Sequence, residues 1–216
     1  MIKGIIFDLD GVLVFTDKYH YQAWQEMADR EGVYFDEIIN NKLRGVSRLA
    51  SLDIILQKAT KEYSQEEKIA LANAKNKRYQ ELLKQLRFND FPYKVRQLLK
   101  KLRRDGIKLA IGSSSRNASL ILKQLQVIDL FDAISDGNNI THSKPDPEVF
   151  IKAAEMLDLD PTQCLVIEDA ESGIEAANEG GFVSVGIHEA GNYSASQYRI
   201  KELSDIINII KKLNLS

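Results

Sequence analysis

The chain changes texture twice, and that order constrains its fold more than any single residue does. A short apolar run, Ile5-Ile6-Phe7, ends in Asp8-Leu9-Asp10-Gly11. Residues from about 17 to 88 then show helical spacing with no convincing strand, and residues 89–216 alternate helix and strand. Alternating elements build a mostly parallel sheet covered on both faces. A helical block this long exceeds any ordinary connection, so it reads as a second, smaller domain inserted after the first strand.

The expected architecture is a doubly wound, mostly parallel α/β core (Rossmann-like) from residues 1–15 and 89–216, with an inserted α-helical domain over 16–88. Within the insert, Asp17 is expected to cap a helix that Gly32 stops. His20, Ala23, Trp24, Met27 and Ala28 fall on one of its faces. A second helix is expected from Arg48 to about Thr60. A third starts at Ser64, where Glu67 completes a capping box, and its later face carries Tyr79, Leu82, Leu83 and Leu86.

In the core, Pro92 opens a helix that Gly106 ends. Strands are expected at Lys108–Gly112, Phe131–Ser135, Leu165–Ile167 and Phe182–Ile187. The helices between them run from after Ser113-Ser114-Ser115 to Leu125, from Asp146 (cap) and Pro147 (first residue) onward, and from after Glu168-Asp169 to Gly180-Gly181. A last helix lies near Leu203–Leu213.

Charge is nearly balanced, with 29 basic against 31 acidic residues, which gives no general footprint for nucleic acid. Cys164 is the single cysteine, so no intrachain disulfide is possible, and its apolar neighbours mark it as a packing residue. No apolar stretch approaches a membrane span. Asp8 comes too early for a signal-peptide core. A cytoplasmic monomer is the expectation.

Polar groups recur where strands stop. The first strand ends in Asp8 and Asp10, the second in Ser113, and the fourth in Glu168-Asp169; Lys144-Pro145 follows the third. In a parallel sheet these ends share one edge, where ligands collect. Each group alone reads as an ordinary cap, loop or solvated residue. Together they suit phosphoryl transfer. Asp8 would be the nucleophile and Asp10 the proton donor and acceptor. Lys144 would offset phosphoryl charge, and Ser113 with backbone N–H groups at a helix N-terminus would hold the remaining oxygens. Asp8, Asp10, Glu168 and Asp169 are the candidate ligands for Mg2+, which prefers oxygen donors.

Phe7-Asp8-Leu9-Asp10-Gly11, Ser113, Lys144-Pro145 and Glu168-Asp169, in this order, resemble the haloacid dehalogenase superfamily of Mg2+-dependent phosphotransferases. The helical insert looks like that family's cap domain. Thr16, His20, Trp24, the run Leu43-Arg44-Gly45-Val46-Ser47-Arg48, and Ser113-Ser114-Ser115-Arg116-Asn117 are similar to its sugar-phosphate mutases. Those enzymes move a phosphoryl group between the 1- and 6-oxygens of β-glucose through β-glucose 1,6-bisphosphate. The resemblance implies that Arg48 grips the distal phosphate, with Ser115 and Asn117 on the core side. It implies that His20 and Thr16 link the hinge to Asp10. It places Trp24, Arg44, Gly45, Val46, Ser113 and Ser114 around a sugar-phosphate substrate.

Phe15, Arg44, Ser114, Arg116 and Ala170 depart from the expected mutase pattern. Without the resemblance, Thr16 reads equally as a cap, His20 and Trp24 as packing residues, and Arg44 and Arg48 as exposed side chains. A sugar-phosphate phosphatase on the same scaffold is the nearest alternative, with water as acceptor. A phosphorylation-switched signalling module is a distant one, because the long helical insert has no place in that design.

Overall fold

In the computed structural model, which describes residues 1–43 and 46–215, Gly4–Phe7 forms strand β1, and all four of its residues are buried. The chain then enters a helical unit, Thr16–Leu86, and returns to a larger unit made of Met1–Phe15 and Arg87–Ser216. Arg87 and Phe88 thus group with the core.

The helical unit contains α1 (Asp17–Glu31), α2 (Glu37–Asn41), α3 (Arg48–Leu56) and α4 (Gln65–Leu83). Its core joins Trp24, Met27 and Ala28 of α1 to Phe35, Ile39, Leu52 and Ile55. Gly32 stops α1 in the left-handed region, at φ 66°, where its N–H reaches Ala28 and Asp29 carbonyls. Ser64 and Glu67 form the expected reciprocal capping box.

One additional helix and several boundaries differ from expectation. The cap of α1 is Thr16, and Asp17 is already helical. The α2 helix, capped by Asp36, is too short to leave a periodic signal. The α3 helix stops at Leu56, because the N–H groups of Lys58 and Ala59 turn back to Ile55 and Leu56 three residues earlier. In the core, Pro147 rather than Asp146 holds the cap position of the helix that starts at Glu148.

The core unit continues with α5 (Tyr93–Arg104), β2 (Lys108–Gly112), α6 (Ala118–Gln124), β3 (Ala133–Ser135), α7 (Glu148–Leu157), β4 (Cys164–Glu168), α8 (Glu171–Glu179), β5 (Val183–Gly186), β6 (Tyr198–Arg199) and α9 (Ile206–Leu215). The strands form one sheet in the order β3-β2-β1-β4-β5-β6, and every pairing is parallel. This is the expected α/β architecture. The two-residue β6 at the edge adds to the expected strands. β3 is shorter than expected because the Phe131 N–H closes the turn over Ile128–Leu130. Among the described residues, no helix is long and apolar enough to cross a membrane.

Register positions the polar edge. Phe7 pairs with Ile111 on one side and Ile167 on the other, so Asp8, Gly112 and Glu168 follow at one level. Below them Ile6, Ala110 and Val166 pack on Val149, Phe150 and Ala153 of α7 and Ala176 and Ala177 of α8. Gly112 has no side chain because Phe150 occupies the space. A Cβ there would lie 2.6 Å from Phe150 Cδ1 and 2.9 Å from Ile6 Cγ2. Gly112→Ala should therefore cost about 1–3 kcal/mol of stability by overpacking. A thermal melt checks this, and an unchanged midpoint would contradict the packing described.

Candidate active site

Asp8 is still held by the sheet, since its N–H donates to the Ile167 carbonyl at 2.9 Å. Its side chain meets Lys144, whose Nζ lies 2.5 Å from Asp8 Oδ1. The same ammonium donates to Glu168 Oε1 and sits 4.6 Å from the Phe150 ring centroid. The other Glu168 oxygen accepts from the N–H groups of Asp169 and Ala170, at 3.0 and 3.1 Å. Side-chain exposure is 11% for Asp8, 3% for Lys144 and 1% for Glu168, so this ion pair is formed almost without water.

Two glycines make room for it. A Cβ on Gly173 would overlap the Glu168 carboxyl, and one on Gly11 would overlap that of Asp169. Gly11 also has φ 92°, which disfavours any other residue.

Asp8, Glu168 and Asp169 each offer an oxygen, and the three lie within 4.8 Å of one another. Burial raises the Asp8 pKa well above the usual carboxylate range; Glu168 and Asp169 add to this, and Lys144 opposes it. Burial disfavours the Lys144 charge, but Asp8 and Glu168 outweigh it and hold the amine protonated. Three acids thus gather where one ammonium pairs with two of them, and an all-oxygen donor set of this kind suits a hard cation. Asp10 falls outside that group of three. Its backbone bridges to Val14, and the Gly11 N–H donates to Val14 O at 2.7 Å, so the chain folds tightly back past the end of β1.

The Ser113 segment lies at the end of β2. The Ser113 N–H donates to Ser135 O at 3.1 Å. Ser113 Oγ accepts from the Ser115 N–H, and Ser115 Oγ from the Asn117 N–H, each at 3.2 Å. Ser114 Oγ is buried with no hydrogen-bond partner among the described residues. The expected helix follows the Ser113-Ser114-Ser115 loop, with Arg116 and Asn117 between them. The α6 helix begins only at Ala118 and has seven residues. Two serine turns intervene, because each hydroxyl takes the amide two residues on.

The helical unit carries its own polar group. Thr16 Oγ1 lies 2.8 Å from Tyr79 OH. The His20 ring stacks on Tyr79 with centroids 3.9 Å apart. Lys75 Nζ lies 2.9 Å from His20 Nδ1 and 4.3 Å from the Trp24 ring centroid. An ammonium only donates, so Nδ1 accepts and the ring proton belongs on Nε2. Burial lowers the His20 pKa well below its ordinary value, and the charges of Lys75 and Arg48 lower it further. Arg48 is the first residue of α3, after its cap Ser47, and the Val46 N–H turns back to Leu43 O. Arg44 and Gly45 lie outside the described residues.

Sequence reasoning missed Lys75, which is 3% exposed. The signal was its spacing: Ala72, Lys75, Tyr79 and Leu82 form the buried stripe of α4, and a lysine in an apolar stripe is out of place.

A family model described as haloacid dehalogenase-like hydrolase matches residues 2–181. The chain is 40% identical over 207 residues to the β-phosphoglucomutase of Bacillus subtilis (strain 168), covering 95% of this chain and 92% of that protein. It is 28% identical over 221 residues to a phosphorylated carbohydrates phosphatase of Thermotoga maritima, covering 98% and 100%. The crystal structure of β-phosphoglucomutase from Clostridium difficile superposes with a TM-score of 0.91 at 34% identity, over the whole of both chains.

The His20 environment sets a pH dependence. A depressed folded-state pKa means that the unfolded chain binds the proton first. The stability from neutral His20 is complete above the ordinary value of 6.5 and is lost as pH falls below it. The melting temperature of the wild type should drop in that range more steeply than that of His20→Gln. Parallel pH profiles for the two proteins would contradict the assignment.

Proposed function

The chain belongs to the haloacid dehalogenase-like hydrolase family, and on that premise we propose that it is a β-phosphoglucomutase. It interconverts β-glucose 1-phosphate and glucose 6-phosphate through phosphorylated Asp8 and β-glucose 1,6-bisphosphate. The 40% identity to the Bacillus subtilis enzyme, over 95% of this chain, carries the reading. The buried Asp8, Lys144 and Glu168 cluster supports its chemistry.

An Asp8 oxygen attacks the phosphorus of the bisphosphate, and the bond from phosphorus to the sugar oxygen breaks. Asp10 gives its proton to that oxygen. In the second half, β-glucose 1-phosphate replaces the released glucose 6-phosphate, and the Asp10 carboxylate takes the proton of its 6-hydroxyl. That oxygen attacks phosphorus, and the bond to Asp8 breaks, which restores both acids. Lys144 offsets charge on the phosphoryl oxygens, and the Ser113 hydroxyl with the amides of its turn binds the rest. Asp8, Glu168 and Asp169 would hold Mg2+, with Asp10 beside them. When bound, that ion supplies positive charge against both the phosphoryl oxygens and the buried carboxylates.

Ser114, Ser115 and Asn117 are our candidates for anion contacts on the core unit, and Trp24, Val46 and Arg48 for substrate contacts on the helical unit. Arg48 would take the phosphate not being transferred, which its planar fork suits. Thr16 and His20 would support proton transfer at Asp10. The enzyme acts on small sugar phosphates as a cytoplasmic monomer, with no nucleic-acid or membrane partner. A sugar-phosphate phosphatase is the second reading, supported by the Thermotoga maritima relative; water would then take the place of the acceptor hydroxyl.

Product analysis separates the two. β-Glucose 1-phosphate with Mg2+ and a trace of β-glucose 1,6-bisphosphate should give glucose 6-phosphate with little free phosphate. Dominant phosphate release would establish the phosphatase instead. Asp8→Asn should cut turnover by about 10³-fold or more, as loss of a nucleophile does. Arg48→Ala should raise the KM for the bisphosphate about tenfold or more, the worth of a charge-assisted contact. An unchanged KM would remove Arg48 from the site.

A further inference from the structure

Lys144 stands in a segment without regular structure between β3 and α7, yet its ammonium meets two carboxylates in a dry site. Something must hold that segment. Glu148, the first residue of α7, is placed to do so. Its Oε2 accepts from the Thr141 N–H at 2.9 Å, the His142 N–H at 2.7 Å and the Thr141 hydroxyl at 2.9 Å. Its Oε1 pairs with Lys152, one turn along the helix, at 2.8 Å. On the far side of Lys144, Asp146 Oδ1 accepts the N–H of Glu148 itself at 2.9 Å. The loop is therefore closed on Glu148 from both ends.

The frame extends to the other anion-binding arm. Lys152 also donates to the Asn139 carbonyl. Asn139 Oδ1 accepts the Asp136 N–H at 2.9 Å, and Asn138 Nδ2 donates to Arg116 O at 3.0 Å, within the Ser113–Asn117 turn. His142, Asp146 and Glu148 also bring ligand atoms within 4.8 Å of one another. The Glu148 oxygens, however, are already taken by amide, hydroxyl and ammonium donors, which makes the cluster a loop anchor and not a cation site.

The geometry points to Glu148 as a positioning residue that sets the Lys144 ammonium against Asp8 and Glu168. This rests on Lys144 being a phosphate-binding group. Placement of this kind matters because an ångström of displacement near a reacting centre can cost about 10²-fold in rate.

Inorganic phosphate, titrated calorimetrically into the full chain with Mg2+ present, reads the position of Lys144 without requiring turnover. The proteins are the wild type, K144A, E148A, E148Q and the K144A/E148A double variant, each with its melting temperature. K144A and E148A should each weaken phosphate binding about tenfold or more, as loss of a charge-assisted hydrogen bond does. E148Q, which keeps an acceptor for the two amides, should recover part of that loss. In the K144A background, E148A should cost less than about twofold, the scatter within which additivity holds. Equal losses in both backgrounds overturn the inference, because Glu148 would then support the fold without acting through Lys144. Unchanged affinity in E148A also overturns it. If E148A does not fold, E148Q in the two backgrounds carries the same comparison. K144A binding phosphate as the wild type does, or a wild type that binds none, would instead refute the reading of Lys144 itself.

Discussion

Lys144 reaches both Asp8 and Glu168 where β1 and β4 end, and without it two nearly dry carboxylates would have no cation between them. Removing one partner of such a buried pair costs about 3–5 kcal/mol in comparable proteins. Much of the core unit serves this contact. The parallel register of β1 and β4 puts the two acids at one level. Gly173 and Gly11 leave space for the carboxyls of Glu168 and Asp169. Phe150, which fills the gap at Gly112, lies under the ammonium. The loop bearing Lys144 is tied to Glu148.

The cluster is not balanced. One lysine cannot offset three carboxylates, and Asp8 carries the consequence, since its charged form is disfavoured by burial and by Glu168 and Asp169 together. A fold selected for stability alone would not gather acids there. Functional sites are where burial and like charges displace pKa values in this way. The helical unit shows the opposite arrangement. There burial, reinforced by the charges of Lys75 and Arg48, keeps a histidine neutral, and that neutral ring can accept a hydrogen bond without becoming a charge.

The buried parallel strands were legible because they read as unbroken apolar runs, as Ile5-Ile6-Phe7 and Leu165-Val166-Ile167 do. Their polar ends were legible for the same reason: a strand that stops in acids stands out. The convergence of Lys144 on that edge was legible too, but its near-complete burial was not, because a loop lysine before proline is ordinarily solvated. Lys75 was hidden by the polar composition of α4, where one inward lysine among many outward ones leaves little trace. The loop of three serines and the helix after it were legible, but the exact start of α6 at Ala118 was not, because serine hydroxyls take the amides two residues on and lengthen the loop through Asn117.

In the function proposed above, the convergent oxygens of Asp8, Glu168 and Asp169 would hold a divalent cation that offsets their charge. The most direct test is the melting temperature of the wild type and Asp169→Asn as Mg2+ is added. Binding to the folded state alone should stabilise the wild type by about 2.7 kcal/mol at a hundredfold excess over Kd, with little response in the variant. A wild-type midpoint that ignores Mg2+, or a variant that responds equally, would contradict the claim.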